Sequence, residues 1–212
     1  MSKTNMPIDF FSLLQQMPVI AILRGITPEE VIQVADVLYS NGIKIIEVPL
    51  NSPRPCESIK RLQDKFGDRC VCGAGTVINE AQVEQVFNTG AQLVVSPNTN
   101  RDVIRKAIDL GMMPVPGFST PTEAFAAIEA GARVLKLFPA ASIGPDFLKA
   151  LSVVIPDGVH IIATGGTRAD TMQQWLAAGA AGLGVGSDLY QPGVSDADLA
   201  RRAAQFSKAF KG

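Results

Sequence analysis

The chain has 212 residues, a formal net charge of −1 and three cysteines; 47% of its residues are apolar and 18% are charged. This composition excludes an intrinsically disordered chain, and the near-neutral charge argues against a general nucleic-acid-binding protein. Cys56, Cys70 and Cys72 have the spacing of neither a disulfide framework nor a zinc knuckle, which favours a reduced, cytoplasmic protein.

The N-terminal segment 1–9 is polar and lacks the apolar stretch of a signal peptide. No later stretch reaches membrane-spanning length without glycine, proline or charge, so we expect no membrane partner. A short helix is predicted over residues 8–16, where it would cover one end of the fold.

Eight short apolar runs then alternate with stretches that have a polar helical face, as expected of strands buried on both sides. The runs are 19–24, 45–50, 71–77, 93–98, 113–118, 134–140, 160–166 and 182–189. Helix starts are indicated by the capping patterns Thr27-Pro28-Glu29-Glu30 and Thr120-Pro121-Thr122-Glu123. Eight evenly spaced strand–helix units predict an α/β fold, a (β/α)₈ TIM barrel formed by a single domain over residues 1–212. A doubly wound open sheet is the alternative.

Lys136 lies inside the sixth apolar run, Val-Leu-Lys-Leu-Phe-Pro, where an ammonium ion would lose its hydration. Burial favours the neutral amine, which is a nucleophile toward carbonyl carbon, so a Schiff-base lysine is one interpretation. A structural ion pair or a side chain that reaches solvent is the other. Alternation along the strands turns both Lys136 and Glu47 into the barrel, where perturbed pKa values would mark a catalytic pair rather than a buried ion pair.

Glycine pairs end the seventh and eighth runs, in Thr164-Gly165-Gly166-Thr167 and in Gly184-Val185-Gly186-Ser187. Backbone N–H groups freed of side chains bind phosphate, and barrels often place a phosphate site after these two strands. The two glycine pairs therefore predict a phosphate site there.

His160 is the only histidine in the chain, and it opens a strand rather than ending one. Most zinc hydrolases and metal-dependent aldolases need several histidines, so we expect no metal site and give His160 a structural role.

Seven motifs, in this order along the chain, resemble those of the class I 2-keto-3-deoxy-6-phosphogluconate/phosphogalactonate aldolase family. They are EVPLNSP around Glu47, GAGTV at 73–77, SPN at 96–98, PGFST at 116–120, LKLFPA at 135–140, TGG at 164–166 and GVGSDLY at 184–190. The resemblance runs from about residue 18 to residue 190. The segments LRGIT at 23–27, EVPLNSP and GSDLY resemble the phosphogalactonate branch in particular, since the phosphogluconate branch usually has an arginine where this chain has Asn51.

The resemblance implies a Schiff base on Lys136 and proton transfer by Glu47. It further implies that the carboxylate end of the substrate contacts Arg24 and Thr76, that Pro97 and Phe138 shape the pocket wall, and that the phosphate contacts Gly165, Gly166, Gly186 and Ser187. The implied ligands are a phosphorylated 2-keto-3-deoxy sugar acid and its cleavage products, pyruvate and glyceraldehyde 3-phosphate. The implied protein is a cytoplasmic homotrimer without metal or cofactor.

Thr164 departs from the branch pattern, because the phosphogalactonate branch often has valine there and the phosphogluconate branch has threonine. The substrates of the two branches differ in configuration at C4, so Thr164 bears on which epimer is preferred. Two other classes remain open on the residues alone: a barrel isomerase or epimerase that uses Glu47 as a base, and a non-catalytic phosphosugar-binding protein.

Overall fold

All eight apolar runs form strands in the computed structural model, which describes residues 9–211 of the chain. The strands are β1 Val19–Ile22, β2 Ile45–Pro49, β3 Val71–Gly75, β4 Leu93–Val95, β5 Met113–Val115, β6 Gly117–Phe118, β7 Val134–Leu137, β8 His160–Thr164 and β9 Gly182–Val185. They form one parallel sheet in the order β5-β4-β3-β2-β1-β9-β8-β7-β6.

The fifth apolar run supplies both edges of this sheet. It is divided at Pro116, which has no N–H to donate to a ladder. The first half, β5, pairs with β4 and the second half, β6, pairs with β7. The edges therefore meet within one continuous segment, and the sheet is a nearly closed barrel rather than the open sheet of the alternative.

Helices follow the strands in alternation. They are α1 Phe10–Gln16, α2 Val31–Ser40, α3 Pro55–Phe66, α4 Glu80–Phe87, α5 Arg101–Asp109, α6 Pro121–Glu129, α7 Ala140–Ile143, α8 Pro145–Ser152, α9 Met172–Ala177 and α10 Asp196–Lys211, with a 3₁₀ turn at Ala169–Thr171. No helix within the described residues is long and apolar enough to cross a membrane.

The capping pattern at Thr120 is confirmed as a complete capping box with Glu123 at the start of α6. The prediction at Thr27 is wrong in position, because α2 begins only at Val31. The Thr27 carbonyl accepts hydrogen bonds from the N–H groups of Glu30 and Val31, so residues 27–30 form a turn before the helix. The Glu30 carboxylate, which could have capped a helix, instead accepts a hydrogen bond from the Tyr190 hydroxyl.

The helix predicted at 8–16 is α1, which Asp9 caps by accepting a hydrogen bond from the Phe11 N–H. Residues 1–8, which include Ile8 and most of the polar N-terminal segment, lie outside the described residues. The apolar side chains of α1 join the inner cluster of the barrel, together with Ile45 and Val134. α1 therefore packs against one end of the barrel interior, as the sequence predicted.

Apolar side chains separate into two layers according to the alternation of the strands. Leu135 and Leu137 belong to the outer cluster between sheet and helices, whereas Val134 belongs to the inner cluster. Ile45 is likewise inside. Lys136 and Glu47 share the inward face of their strands, which confirms the predicted alternation.

Candidate active site

The carboxyl ends of the strands surround a cavity of about 570 Å³. Ten of the eleven residues predicted for the site line it: Arg24, Thr76, Pro97, Lys136, Phe138, Thr164, Gly165, Gly166, Gly186 and Ser187. The eleventh, Glu47, lines a small recess whose wall also includes Lys136 and Thr164. The structure thus brings the whole predicted set together at one mouth of the barrel.

Lys136 is 7% exposed, and its Nζ lies 4.8 Å from the centroid of the Phe138 ring. Burial lowers the pKa of this amine, the nearby Glu47 carboxylate raises it, and Arg24 lowers it further. The net pKa is below the ordinary lysine value, so the neutral, nucleophilic form is more abundant than for an exposed lysine.

Glu47 is 2% exposed, and its Oε2 has no hydrogen-bond partner among the described residues. Burial raises the pKa of Glu47 above its usual range, and the positive charges of Lys136 and Arg24 oppose that rise. None of the ion pairs in the described part of the chain includes Lys136 or Glu47. The structural ion pair considered from the sequence is therefore not formed, and a carboxyl oxygen is left for a water molecule or a ligand.

Small residues make room for these side chains inside the barrel. A Cβ on Gly75 would lie 1.5 Å from Glu47 Oε2, and a Cβ on Gly184 would lie 2.4 Å from Thr164 Oγ1. Each glycine is at an inward position on the strand next to the one that carries the polar side chain: Gly75 is on β3 beside β2, and Gly184 is on β9 beside β8. The GAGTV motif contained Gly75, but only the fold reveals that its missing side chain is what admits Glu47.

Two loops form the predicted phosphate end of the cavity. Gly165 and Gly166 both have left-handed φ values, +94° and +76°, which explains the two consecutive glycines. The Thr167 hydroxyl donates a hydrogen bond of 2.9 Å to the Gly184 carbonyl and so ties this loop to β9. Residues of both loops, Gly165 and Gly166 from one and Gly186 and Ser187 from the other, line the same cavity.

Arg168 also lines the cavity, although no motif in the sequence predicted it as a site residue. Its Nε and Nη2 donate hydrogen bonds of 2.9 and 2.8 Å to the Asp170 carboxylate, which raises the pKa of Arg168 and lowers that of Asp170. The signal in the sequence that could have identified Arg168 is its position two residues after the glycine pair Gly165-Gly166. Thr167, Asp188 and Gln191 are further lining residues that were not predicted.

Thr76 has a φ of +60°, a conformation that non-glycine residues adopt rarely and at a cost of about 1–3 kcal/mol. It directly follows β3 and lines the cavity. Such strain is retained most often where a side chain must be aimed at a functional site.

Other reactive side chains lie away from this chemistry. His160 begins β8, at the end of the strand opposite Thr164, and its ring packs 4.8 Å from that of Phe11. All three cysteines are unpaired thiols, and burial raises the pKa of Cys70 to about 11, which disfavours a thiolate. Within residues 9–211, no group of three or more His, Cys, Asp or Glu side chains is placed to hold a metal ion.

Comparisons with known proteins find related aldolases. The family model described as KDPG and KHG aldolase matches residues 11–204. The 2-dehydro-3-deoxy-6-phosphogalactonate aldolase of Escherichia coli K12 is 45% identical over 196 residues, which is 92% of this chain and 96% of that protein.

Two solved structures have the same fold with a TM-score of 0.91 and 45% identity over 92% of this chain. One is described as native KDPGal, and the match covers 95% of it. The other is a cube-shaped protein cage designed by fusing symmetric oligomeric domains, and the match covers 73% of it.

Proposed function

The chain belongs to the KDPG and KHG aldolase family, and from that premise we propose that it cleaves 2-dehydro-3-deoxy-6-phosphogalactonate to pyruvate and glyceraldehyde 3-phosphate. It is a carbon–carbon lyase of the Schiff-base class. The observation that carries the proposal is a buried lysine in the cavity, with a buried carboxyl group in the adjoining recess and no ion pair between them.

The reaction begins at Lys136. Its neutral amine attacks the C2 ketone of the substrate, and loss of water gives an iminium ion, which withdraws electrons from the neighbouring bonds. Burial in the barrel lowers the pKa of Lys136 and so increases the fraction of its amine that is neutral and nucleophilic.

Glu47 then moves protons, directly or through one water molecule. Glu47 accepts the proton of the C4 hydroxyl, and the C3–C4 bond breaks. The electron pair of that bond moves into the iminium to give an enamine, and the aldehyde leaves. Protonation of the enamine at C3 restores the iminium, and water releases pyruvate and the free amine. The unpartnered Oε2 of Glu47 fits this role because no group among residues 9–211 competes for it.

The remaining lining residues orient the substrate. Arg24 and Thr76 hold the carboxylate end, and Pro97 and Phe138 form the wall. The phosphate binds Gly165, Gly166, Gly186 and Ser187, which fixes the distance from the phosphate to C2 and contributes orientation rather than bond chemistry.

Borohydride reduction in the presence of pyruvate tests the mechanism. The wild-type protein should gain one permanently attached pyruvyl group, located on Lys136 by peptide mass mapping. Lys136→Arg should gain none, because a guanidinium stays charged at working pH. Absence of the adduct in the wild type would instead favour an isomerase, an epimerase or a binding protein.

The phosphogluconate epimer is the second candidate substrate, and Thr164 is the observation that favours it. Thr164 is 4% exposed and lines both the cavity and the recess that contains Glu47. We infer that the Thr164 hydroxyl contacts the C4 oxygen of the substrate. We propose cleavage of both epimers, with the phosphogalactonate compound preferred.

The protein is further proposed to be a single-domain, cytoplasmic homotrimer that needs no metal or cofactor. Support for assembly comes from the designed cage, which is described as a fusion of symmetric oligomeric domains and of which 73% is covered by the match.

A further inference from the structure

Side chains join two neighbouring loops at the mouth of the cavity. Arg24 follows β1, and its Nη1 donates a hydrogen bond of 2.5 Å to Oδ1 of Asn51, in the loop after β2. One residue further along, the N–H of Gly25 donates a hydrogen bond of 3.0 Å to Oγ of Ser52. Two consecutive residues of one loop are therefore held by two consecutive side chains of the other.

The position of Arg24 matters because its charge acts on the reacting groups. Arg24 lines the cavity, and its charge acts on both Lys136 and Glu47. Arg24 itself is exposed. A long exposed side chain occupies many rotamers unless a partner restricts it, so the contact with Asn51 determines where this charge lies.

The partner's chemistry is as informative as its position. Arg54, Arg61, Arg101, Arg168 and Arg201 each form an ion pair with a carboxylate. Arg24 is absent from the ion pairs of the described chain, and its side-chain partner is a neutral amide oxygen. An amide fixes the guanidinium without cancelling its charge, whereas a carboxylate would compete with any anionic ligand.

We propose that Asn51 is a positioning residue that fixes Arg24 at the Lys136 end of the cavity while leaving its positive charge free for the carboxylate of a 2-keto acid. The proposal rests on the proposed function and extends it to the selection of the keto-acid substrate. It assigns to Asn51 no contact with the substrate itself.

Asn51→Leu removes the acceptor while roughly keeping the side-chain shape, and Asn51 is exposed, so folding should be unaffected. In the synthesis direction we expect the KM for pyruvate to rise roughly tenfold, since one hydrogen bond to a charged group is lost. The KM for glyceraldehyde 3-phosphate should change by less than about twofold, because binding at the other end of the cavity is intact.

Two further substitutions separate positioning from charge. Asn51→Gln retains an amide and should give a pyruvate KM between those of the wild type and Asn51→Leu. Asn51→Asp retains the acceptor but neutralises Arg24, so its pyruvate KM should be at least as high as that of Asn51→Leu.

A double-mutant cycle shows whether Asn51 acts through Arg24. The pyruvate KM of Arg24→Gln and of Arg24→Gln/Asn51→Leu should be the same, because the second change has no arginine left to release. Asn88→Leu, at the exposed asparagine that directly follows α4, is the matched control and should leave every constant unchanged.

A wild-type pyruvate KM in Asn51→Leu would overturn the proposal, and so would an equal rise in the Arg24→Gln background. These results are distinct from failure of the proposed function, in which the wild-type protein itself would not be trapped by borohydride with pyruvate. Thermal melting of each variant verifies folding. If Asn51→Leu does not fold, the pyruvate KM of Asn51→Gln is compared with that of the wild type instead.

Discussion

Lys136 and Glu47 are 7% and 2% exposed, and each acts on the other only through its charge. Burial moves both pKa values toward the neutral form, upward for the carboxyl group and downward for the amine. A neutral amine is a nucleophile, and a carboxyl group with a raised pKa exchanges protons nearer to neutral pH. At the scale of single residues, the chemistry therefore follows from the depth of these two side chains in the barrel.

Glu47→Gln should lower kcat by roughly 10²–10⁴, because the amide keeps the shape but cannot transfer the proton. Trapping of pyruvate on Lys136 should remain detectable, since the nucleophile is still present. Steady-state cleavage and borohydride trapping check the two halves of this prediction. Normal cleavage by the variant would assign the base to another group.

The same substitution should change the dependence of stability on pH. The pKa of Glu47 is higher in the folded protein than the unfolded value of 4.5, so the folded state binds more protons between these two values. Its contribution to stability is therefore present below pH 4.5 and is lost as the pH rises through the folded pKa. Glu47→Gln has no such loss.

We therefore expect the Tm of Glu47→Gln, measured relative to that of the wild type, to increase from pH 4 toward neutral pH. Thermal melts of both proteins in matched buffers measure the difference. A difference that stays constant over this range would mean that Glu47 titrates alike in both states.

Thr164→Val should shift the preference between C4 epimers further toward the phosphogalactonate substrate, because it removes a partner of the C4 oxygen of the other epimer. The wild-type gap should be modest, about 1–3 kcal/mol in transition-state binding, since one hydroxyl contact in an open site discriminates weakly. The ratio of kcat/KM for the two epimers, in both proteins, checks this. An unchanged ratio would show that Thr164 does not contact C4.

At the scale of elements, the barrel interior depends on which strand positions lack a side chain. The Glu47 side chain of β2 lies over Gly75 of the neighbouring β3, so a Cβ on Gly75 would overlap the Glu47 carboxylate. Closure of the barrel depends on the fifth apolar run in a different way. Its division at Pro116 lets one segment pair with both β4 and β7.

Gly75→Ala should lower both Tm and kcat, because the added methyl group displaces Glu47 from its recess. The control is the double variant Gly75→Ala/Glu47→Ala, in which the overlapping carboxylate is absent. Its Tm should return to that of Glu47→Ala alone while activity stays low. If Gly75→Ala costs the same in both backgrounds, the clash lies elsewhere.

At the scale of the whole molecule, the proposed homotrimer should have a mass near three times the 22.5 kDa of one chain. Light scattering coupled to size-exclusion chromatography measures it directly, over a range of protein concentrations. A monomer or dimer at all concentrations would contradict the proposal. Heating should give one cooperative transition if residues 1–212 form a single domain.

The sequence alone determined the strands, the barrel and the set of residues at its mouth. Near-continuous apolar runs require burial on both faces, and the carboxyl ends of parallel strands meet on one side. Lys136 and the glycines at 165 and 166 were therefore predictable from local pattern. Arg168 was missed, because its contribution depends on how its loop turns toward the cavity rather than on a pattern in the chain.

Only the tertiary structure decided which groups act on one another. It left Lys136 and Glu47 without an ion pair, delayed the start of α2 to Val31 and paired Arg24 with Asn51, 27 residues later. Each outcome depends on distances between side chains of different strands and loops. Local pattern cannot set those distances, because they follow from the register and closure of the whole barrel.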